Sequence, residues 1–257
     1  MIAQKNWVAY ASLVRKEVVR FIRIWTQTLL PPVITQSLYF IIFGGFIGSQ
    51  IRNIHGVSYM TFIVPGLIMM GVINSAFANV VGSFFGAKFQ RNIEELMVSP
   101  TPNWIIIAGY VTGGALRGVL VGIIIFIISA FFTHPTIYNI GVVGLFIVLT
   151  AIVFSLGGFI NAVFATKFDD ISIFPTFILT PLTYFGGVFY SISDLPAIWQ
   201  NISKLNPILY MVDGFRYGFF GQADVNVFLS AGILIGFTVF LSGVSLYLLK
   251  KGVGLKS

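Results

Sequence analysis

The 257-residue chain contains no cysteine. Disulfides, thiolate metal ligands and cysteine nucleophiles are therefore excluded, and the redox compartment stays open. Charge is nearly as scarce: Asp, Glu, Lys and Arg together make 9% of the residues, where a soluble domain carries about 25%. A soluble fold so poor in charge could not cover its own surface. Histidine occurs twice, as His55 and His134, and both fall between apolar runs, poor places for zinc ligands or for the base of a buried site. No HExxH is present, and SGVS at 242–245 has no histidine partner for a membrane-embedded serine nucleophile. The tail GVGLKS, 252–257, lacks the Gly-Lys-Ser order of a phosphate loop and no helix follows it. The chain is thus expected to be no enzyme, to hydrolyse no ATP itself and to hold no metal or cofactor.

What is abundant is apolar surface, 57% of residues. A spanning helix needs roughly 20 mostly apolar residues. Six runs qualify, at about 31–49, 59–84, 104–132, 139–164, 171–190 and 226–249. The fifth carries Pro175 and Pro181 and is expected to kink. The expected fold is one all-α polytopic membrane domain over 1–257, with a six-span bundle at 31–249 and a basic cytoplasmic tail at 250–257.

The net charge of +7 could suit nucleic acid, but the cations flank lipid-buried runs rather than forming one soluble patch. They read instead as orientation signals. Lys5, Arg15, Lys16, Arg20, Arg23, Lys88, Arg91, Lys167, Lys250, Lys251 and Lys256 fall on one face, which makes 11 of the 15. Arg52, Lys204 and Arg216 fall on the other. Both termini are expected in the cytoplasm. No cleavable signal peptide is visible, so the first span should remain in the membrane.

Three segments are not simple spans. Residues 5–27 place Trp7, Tyr10, Val14, Val18, Phe21 and Trp25 at helical spacing, with Arg15, Lys16, Arg20 and Arg23 mainly on other faces. That pattern suits an interfacial helix in the headgroup layer, either a plain anchor or a lever beside a cytoplasmic partner. Pro31 and Pro32 should end it and start the first span. Between spans two and three, Phe85, Phe89, Ile93 and Met97 recur every four residues beside Lys88, Arg91, Asn92, Glu94 and Glu95. Arg91 and Glu95 could pair locally. This is either a solvated loop helix or a rigid prong whose apolar stripe docks into a soluble partner. Between spans five and six, Ser193 or Asp194 with Pro196, then Asn206 with Pro207, signal two helix starts. Two short re-entrant outer helices are expected, as a plug or as a gate.

Arg117 is the one charge within a span, and a central arginine costs roughly 2.5–3.5 kcal/mol. It could snorkel, pair with a carboxylate or carbonyl, or face a polar cavity. Gly113, Gly114 and Gly118 beside it would admit another helix closely. Asn74, Asn79 and Asn161 are weaker candidates for a translocation path or for helix-to-helix bonding.

The stretches FIRIWTQTLLPPVI, FIVPGLIMMGV, SFFGAKFQRNIEELMVSP, FDDIS, FPTFILTPLTYFGGVFY and LNPILYMVDGFRYGFFG occur in that order along essentially the whole chain. In these the chain resembles the type-2 ATP-binding-cassette (ABC-2) membrane permeases, and within them the inner-membrane transport permeases of enteric bacteria. The segment from Pro207 through Tyr210 to Arg216 is similar to the end of the family signature. The resemblance implies a homodimer in a bacterial inner membrane, with a separate cytoplasmic ATPase that binds ATP and Mg. It also implies that Lys88–Met97 is the coupling helix entering a cleft of that ATPase, and that 5–27 is the connecting helix beside it. Family cargoes are mainly exported. Rival expectations are an ATP-independent channel or secondary carrier, and a membrane scaffold that recruits a cytoplasmic partner. Against a carrier, no repeat relates 26–132 to 139–249.

Overall fold

The computed structural model describes residues 2–48, 50, 54 and 56–254, apart from the side chains of residues 2, 3 and 97. Arg52, His55, Lys256 and the end of the GVGLKS tail lie outside the described residues. Among these residues the protein is helical without a strand.

Helix α1, Ile2–Arg23, breaks at Ile24, and a single turn, α2, Trp25–Thr28, follows. Helix α3, Leu30–Tyr39, takes Pro31 and Pro32 in its first turn, where their missing N–H groups cost nothing, and runs into a π-helical stretch, Phe40–Ile47. Then come α4, Tyr59–Phe89, α5, Asn92–Val98, α6, Asn103–Ser129, and α7, Ile140–Phe164. The expected fifth span is α8, Asp170–Phe174, a π-helical stretch, Pro175–Leu179, and α9, Thr180–Tyr184. After a 3₁₀ turn, Ile192–Asp194, come α10, Ala197–Ser203, α11, Pro207–Phe220, and α12, Val227–Lys251.

Among the described residues five helical segments are long and apolar enough to cross a membrane: Trp25–Ile47, α4, α6, α7 and α12. The run expected at 171–190 is not a sixth of that length. Helix stops at Tyr184, because the chain turns through Phe185 and Gly186 into Gly187, whose φ of +75° suits glycine alone.

Helix α4 is the hub, with 83% of its most apolar stretch buried, against 17% for Trp25–Ile47 and 11% for α12. Small residues let the neighbours approach it. A side chain at Gly118 would meet Ala76 of α4, and one at Gly158 of α7 would meet the Phe77 carbonyl of α4 at 2.6 Å. Rings fill the remaining space: Phe84 lies 4.4 Å from Phe159 and 5.2 Å from Tyr110.

The two ends of the bundle differ. At one end the last residues of α4, α5, the end of α7 and the tail after α12 come together, with Val253 and Gly254 beside Lys88 and Phe164. Helix α1 also belongs to this end, against the start of α6. At the other end α11 wedges among α4, α7 and α12, with Tyr138 and Asn139 N–H donating to the Phe219 and Gly218 carbonyls.

The interfacial segment departs from expectation in placement and in its faces. Leu13, Glu17 and Thr28 meet Gly109, Gly113 and Arg117 in the same order, so α1 runs lengthwise along α6. Tyr10, Val14, Val18 and Phe21 therefore turn towards the protein rather than towards lipid, with Phe21 2% exposed. Trp7, Val8, Ile22 and Trp25 remain exposed. Glycine at 109 and 113 makes the seat: a side chain there would collide with Leu13 and Glu17.

Candidate functional site

The prong between α4 and α6 begins where α4 stops. Arg91 sits at φ 60°, a left-handed conformation that costs a non-glycine residue roughly 1–2 kcal/mol. It is the only such non-glycine residue among those described. Strain of this kind in a loop is a functional pointer. The break at Gln90–Arg91 means that the expected continuous helix over 88–97 is two pieces. After it, α5 carries Glu94 and Glu95 in its first turn, where carboxylates suit the helix dipole.

This break also redirects the apolar stripe. Phe85 is 1% and Ile93 2% exposed, and both belong to the core. Leu96 packs against that core too. The expected insertion of a Phe85–Ile93 stripe into a partner is thereby corrected, since those side chains hold the prong to its own bundle. The face left outward is Phe89, Arg91, Asn92, Glu94, Glu95 and Val98. Among the described residues Arg91 forms no ion pair with Glu95, so both signs are presented separately. The Met97 side chain lies outside the described residues.

Lys88 does not belong to the outward face. Its Nζ donates to the Val163 carbonyl at 2.8 Å and the Ala165 carbonyl at 2.6 Å, closing the C-terminus of α7. A cation there satisfies orphan carbonyls and the negative end of the dipole. Phe89 and Phe85 clasp Phe168 at 4.8 and 5.1 Å between ring centres. Asp170 accepts from the Thr166 and Lys167 N–H groups at 2.8 and 2.9 Å and from the Thr166 hydroxyl. Between α4, α5, the end of α7 and Val253–Gly254 lies a cleft of about 580 Å³.

Beneath α1 is a polar knot that the sequence reading did not single out. Glu17, 1% exposed, accepts from Ser83 Oγ at 2.5 Å, from an Arg20 guanidinium nitrogen at 2.9 Å and from Asn79 Nδ2 at 3.4 Å. Arg20 also donates to the Asn79 carbonyl and Oδ1, at 3.1 and 2.9 Å. Tyr10 and Thr112 share a hydrogen bond of 2.9 Å. The signal was available: Glu17 stands three residues after Val14 and four before Phe21, on the buried stripe itself. Arg15, Lys16 and Arg23 stay exposed.

Arg117 pairs with a backbone carbonyl. It is 8% exposed and donates to Thr28 at 2.9 Å, below the elbow between α2 and α3. Asn74 bonds to Met70 of its own helix, and Asn161 to the Ile171 carbonyl. Asn79 thus lies beneath α1 and Arg117 beneath the α2–α3 elbow, while the other two bond elsewhere in the bundle.

At the opposite end, Asn206 caps α11, accepting from the Ile208 N–H at 3.0 Å, with Pro207 in the first turn as expected. Its Nδ2 reaches the Leu182 carbonyl at 2.6 Å. Tyr210 donates to the Lys204 carbonyl, and Arg216 to that of Gly187 at 2.6 Å while covering the Phe62 ring at 4.1 Å. Helix α10 starts differently from expectation: Pro196 is its cap, and Ser193 and Asp194 belong to the preceding 3₁₀ turn. The side chains of Asn206, Tyr210 and Arg216 therefore tie α11 to the segments just before it.

A family profile described as ABC-2 type transporter matches residues 8–220. The chain belongs to the ABC-2 type transporter family. Among its relatives, the inner membrane transport permease YadH of Escherichia coli strain K12 is 59% identical over 251 residues, covering 98% of both chains. Nodulation protein J of Rhizobium leguminosarum bv. viciae is 25% identical over 96% of this chain and 94% of that one. An ABC-2 membrane permease is thus what the ordered motifs indicated, and its identity as a transport permease agrees with a membrane subunit rather than an enzyme.

Proposed function

We propose that this chain is the membrane subunit of an ATP-driven exporter, working as a homodimer on a separate cytoplasmic cassette ATPase of the YadG type, with ATP and Mg bound on that partner. The observation that carries the reading is the clustering of α1, α5 and the tail after α12 at one end of the bundle. Ends that meet on one side require an even number of crossings. Five long segments plus Asp170–Tyr184 make six; the cation pattern favours the cytoplasm for the shared end, and likeness to the inner membrane permease YadH favours a bacterial inner membrane.

ATPase closure would press on Phe89, Arg91, Asn92, Glu94, Glu95 and Val98. Because Ile93 and Lys88 bind that prong to α4 and α7, the load would pass into the central helices as a rigid movement. The homodimer seam fits the face of α3 and Asp170–Tyr184. There the Tyr39 and Tyr184 hydroxyls pair at 2.8 Å while exposed, a poor surface for lipid tails. The 15 residues from Asp170 to Tyr184 also reach only about 22 Å, short of a 30 Å hydrocarbon core, so a second copy would shield what lipid cannot. A secondary carrier is less well supported. The buried carboxylates Glu17 and Asp213 stand at opposite ends, each already filled by protein donors.

The test is the double charge reversal Glu94→Lys with Glu95→Lys. It should abolish permease-stimulated ATP hydrolysis while the variant still purifies as a folded dimer. ATPase binding and turnover equal to those of the unaltered protein would overturn the coupling assignment.

A further inference from the structure

Helix α1 has three faces rather than two. One, through Tyr10, Leu13, Glu17 and Phe21, is seated on α4 and α6. The second, through Val8, Val19 and Ile22, is apolar and 45–57% exposed. The third is basic. Ser12, Arg15, Lys16, Arg20 and Arg23 line a shallow groove of about 600 Å³, walled by Val19 and Ile24. Arg20 is neutralised by Glu17, the one acid of α1, which leaves Arg15, Lys16 and Arg23 without a carboxylate, Lys16 having only the Tyr110 ring face nearby. Among the described residues no carboxylate pairs with these three.

Depth decides what could neutralise them. Arg20 bonds to Asn79, ten residues before Phe89 at the end of α4, or about 15 Å back along that helix. Lys16 lies nearer that end, its Nζ 5.8 Å from the ring centre of Tyr110, which packs on Phe84, and Arg23 lies about one turn beyond Arg20, so the cations run along the bundle wall behind the prong. At that level, next to exposed Val19 and Ile22, the chemistry on offer is the phosphate layer of the membrane.

We propose that the Arg15–Lys16–Arg23 groove is a binding site for the phosphate headgroup of an anionic phospholipid, whose acyl chains cover the Val19–Ile22 flank. The guanidinium groups of Arg15 and Arg23 supply forked donors, Lys16 a point charge and Ser12 a hydroxyl. The inference rests on α1 lying at the membrane boundary and not on the ATPase assignment. A lipid held here would brace the helix whose knot to Asn79 and Ser83 ties it to α4.

Native mass spectrometry of the purified full chain, titrated with phosphatidylglycerol or with phosphatidylcholine, reads the site directly. The unaltered protein should retain phosphatidylglycerol preferentially, and the preference should fade as salt rises. Each cation near the surface is worth about fivefold, so Arg15→Gln with Lys16→Gln and Arg23→Gln should weaken retention on the order of a hundredfold. Lys250→Gln with Lys251→Gln, on α12, should leave it unchanged. Equal retention of both lipids by the unaltered protein overturns the proposal whether or not the triple variant folds. So does competition by inorganic phosphate alone, which would mean a soluble anion site. Loss of ATPase recovery from the triple variant with lipid retention intact would mean that an acidic protein surface occupies the groove, and would overturn it too. None of these outcomes depends on Glu94 or Glu95.

Discussion

A carboxylate buried as deeply as Glu17 has to be matched atom by atom, and Ser83, Arg20 and Asn79 do so. Removing it as Glu17→Ala strands those partners. A fully buried pair broken this way costs 3–5 kcal/mol, and the partial exposure of Arg20 reduces the expected loss to roughly 2–3 kcal/mol. Glu17→Gln keeps two of the acceptor contacts and should cost about 1 kcal/mol. Thermal unfolding of both variants in detergent checks the order; equal melting temperatures for the alanine variant and the unaltered protein would contradict it. Arg91 offers the opposite sign. Glycine fits its left-handed backbone, so Arg91→Gly should raise stability by about 1 kcal/mol while lowering ATPase stimulation through loss of an outward cation. A variant both less stable and fully stimulated would show that neither the strain nor the contact was read correctly.

At the scale of helices, the lysine at the end of α4 ties that helix to the C-terminus of α7. Lys88→Met deletes two charge-assisted bonds to carbonyls, and hydrogen exchange should quicken at 162–168 by roughly tenfold or more. Lys88→Arg should restore most of the protection. Unchanged exchange in the methionine variant would remove Lys88 from the linkage. Helix boundaries at Pro31–Pro32 and Asn206–Pro207 were legible because proline and asparagine act locally, whatever packs around them. Faces were less so. A helix inserted between two others and a lipid boundary has three environments, and a two-sided hydrophobic pattern cannot separate them. Thus the Tyr10–Phe21 stripe was visible, while its partner on α6 was visible only in part: Gly113 stood out as a place of close approach, but not Gly109 nor which helix the two would seat. The left-handed Arg91 left no sequence mark either, since it is neither glycine nor asparagine, and without it the stripe through Phe85 and Ile93 reads as continuous.

For the whole molecule, the absence of cysteine makes the proposed seam easy to probe. A single Thr35→Cys, exposed on α3, should give a disulfide-linked dimer in oxidised membranes, whereas Val239→Cys, 68% exposed on α12, should not. The reverse result would move the seam to α12. The family was legible from the ordered motifs, because they are summed over the chain. The short passage from Asp170 to Tyr184 was not, since composition there continues to Tyr190 after the helix has ended. One arrangement bears on how the protein is handled in the laboratory. Val253 and Gly254 are folded against Val163 and form a lip of the cleft beside Lys88. An affinity handle fused to the C-terminus starts close to the cleft that the proposed ATPase would approach, so poor partner recovery from such a preparation would indict the handle before the permease.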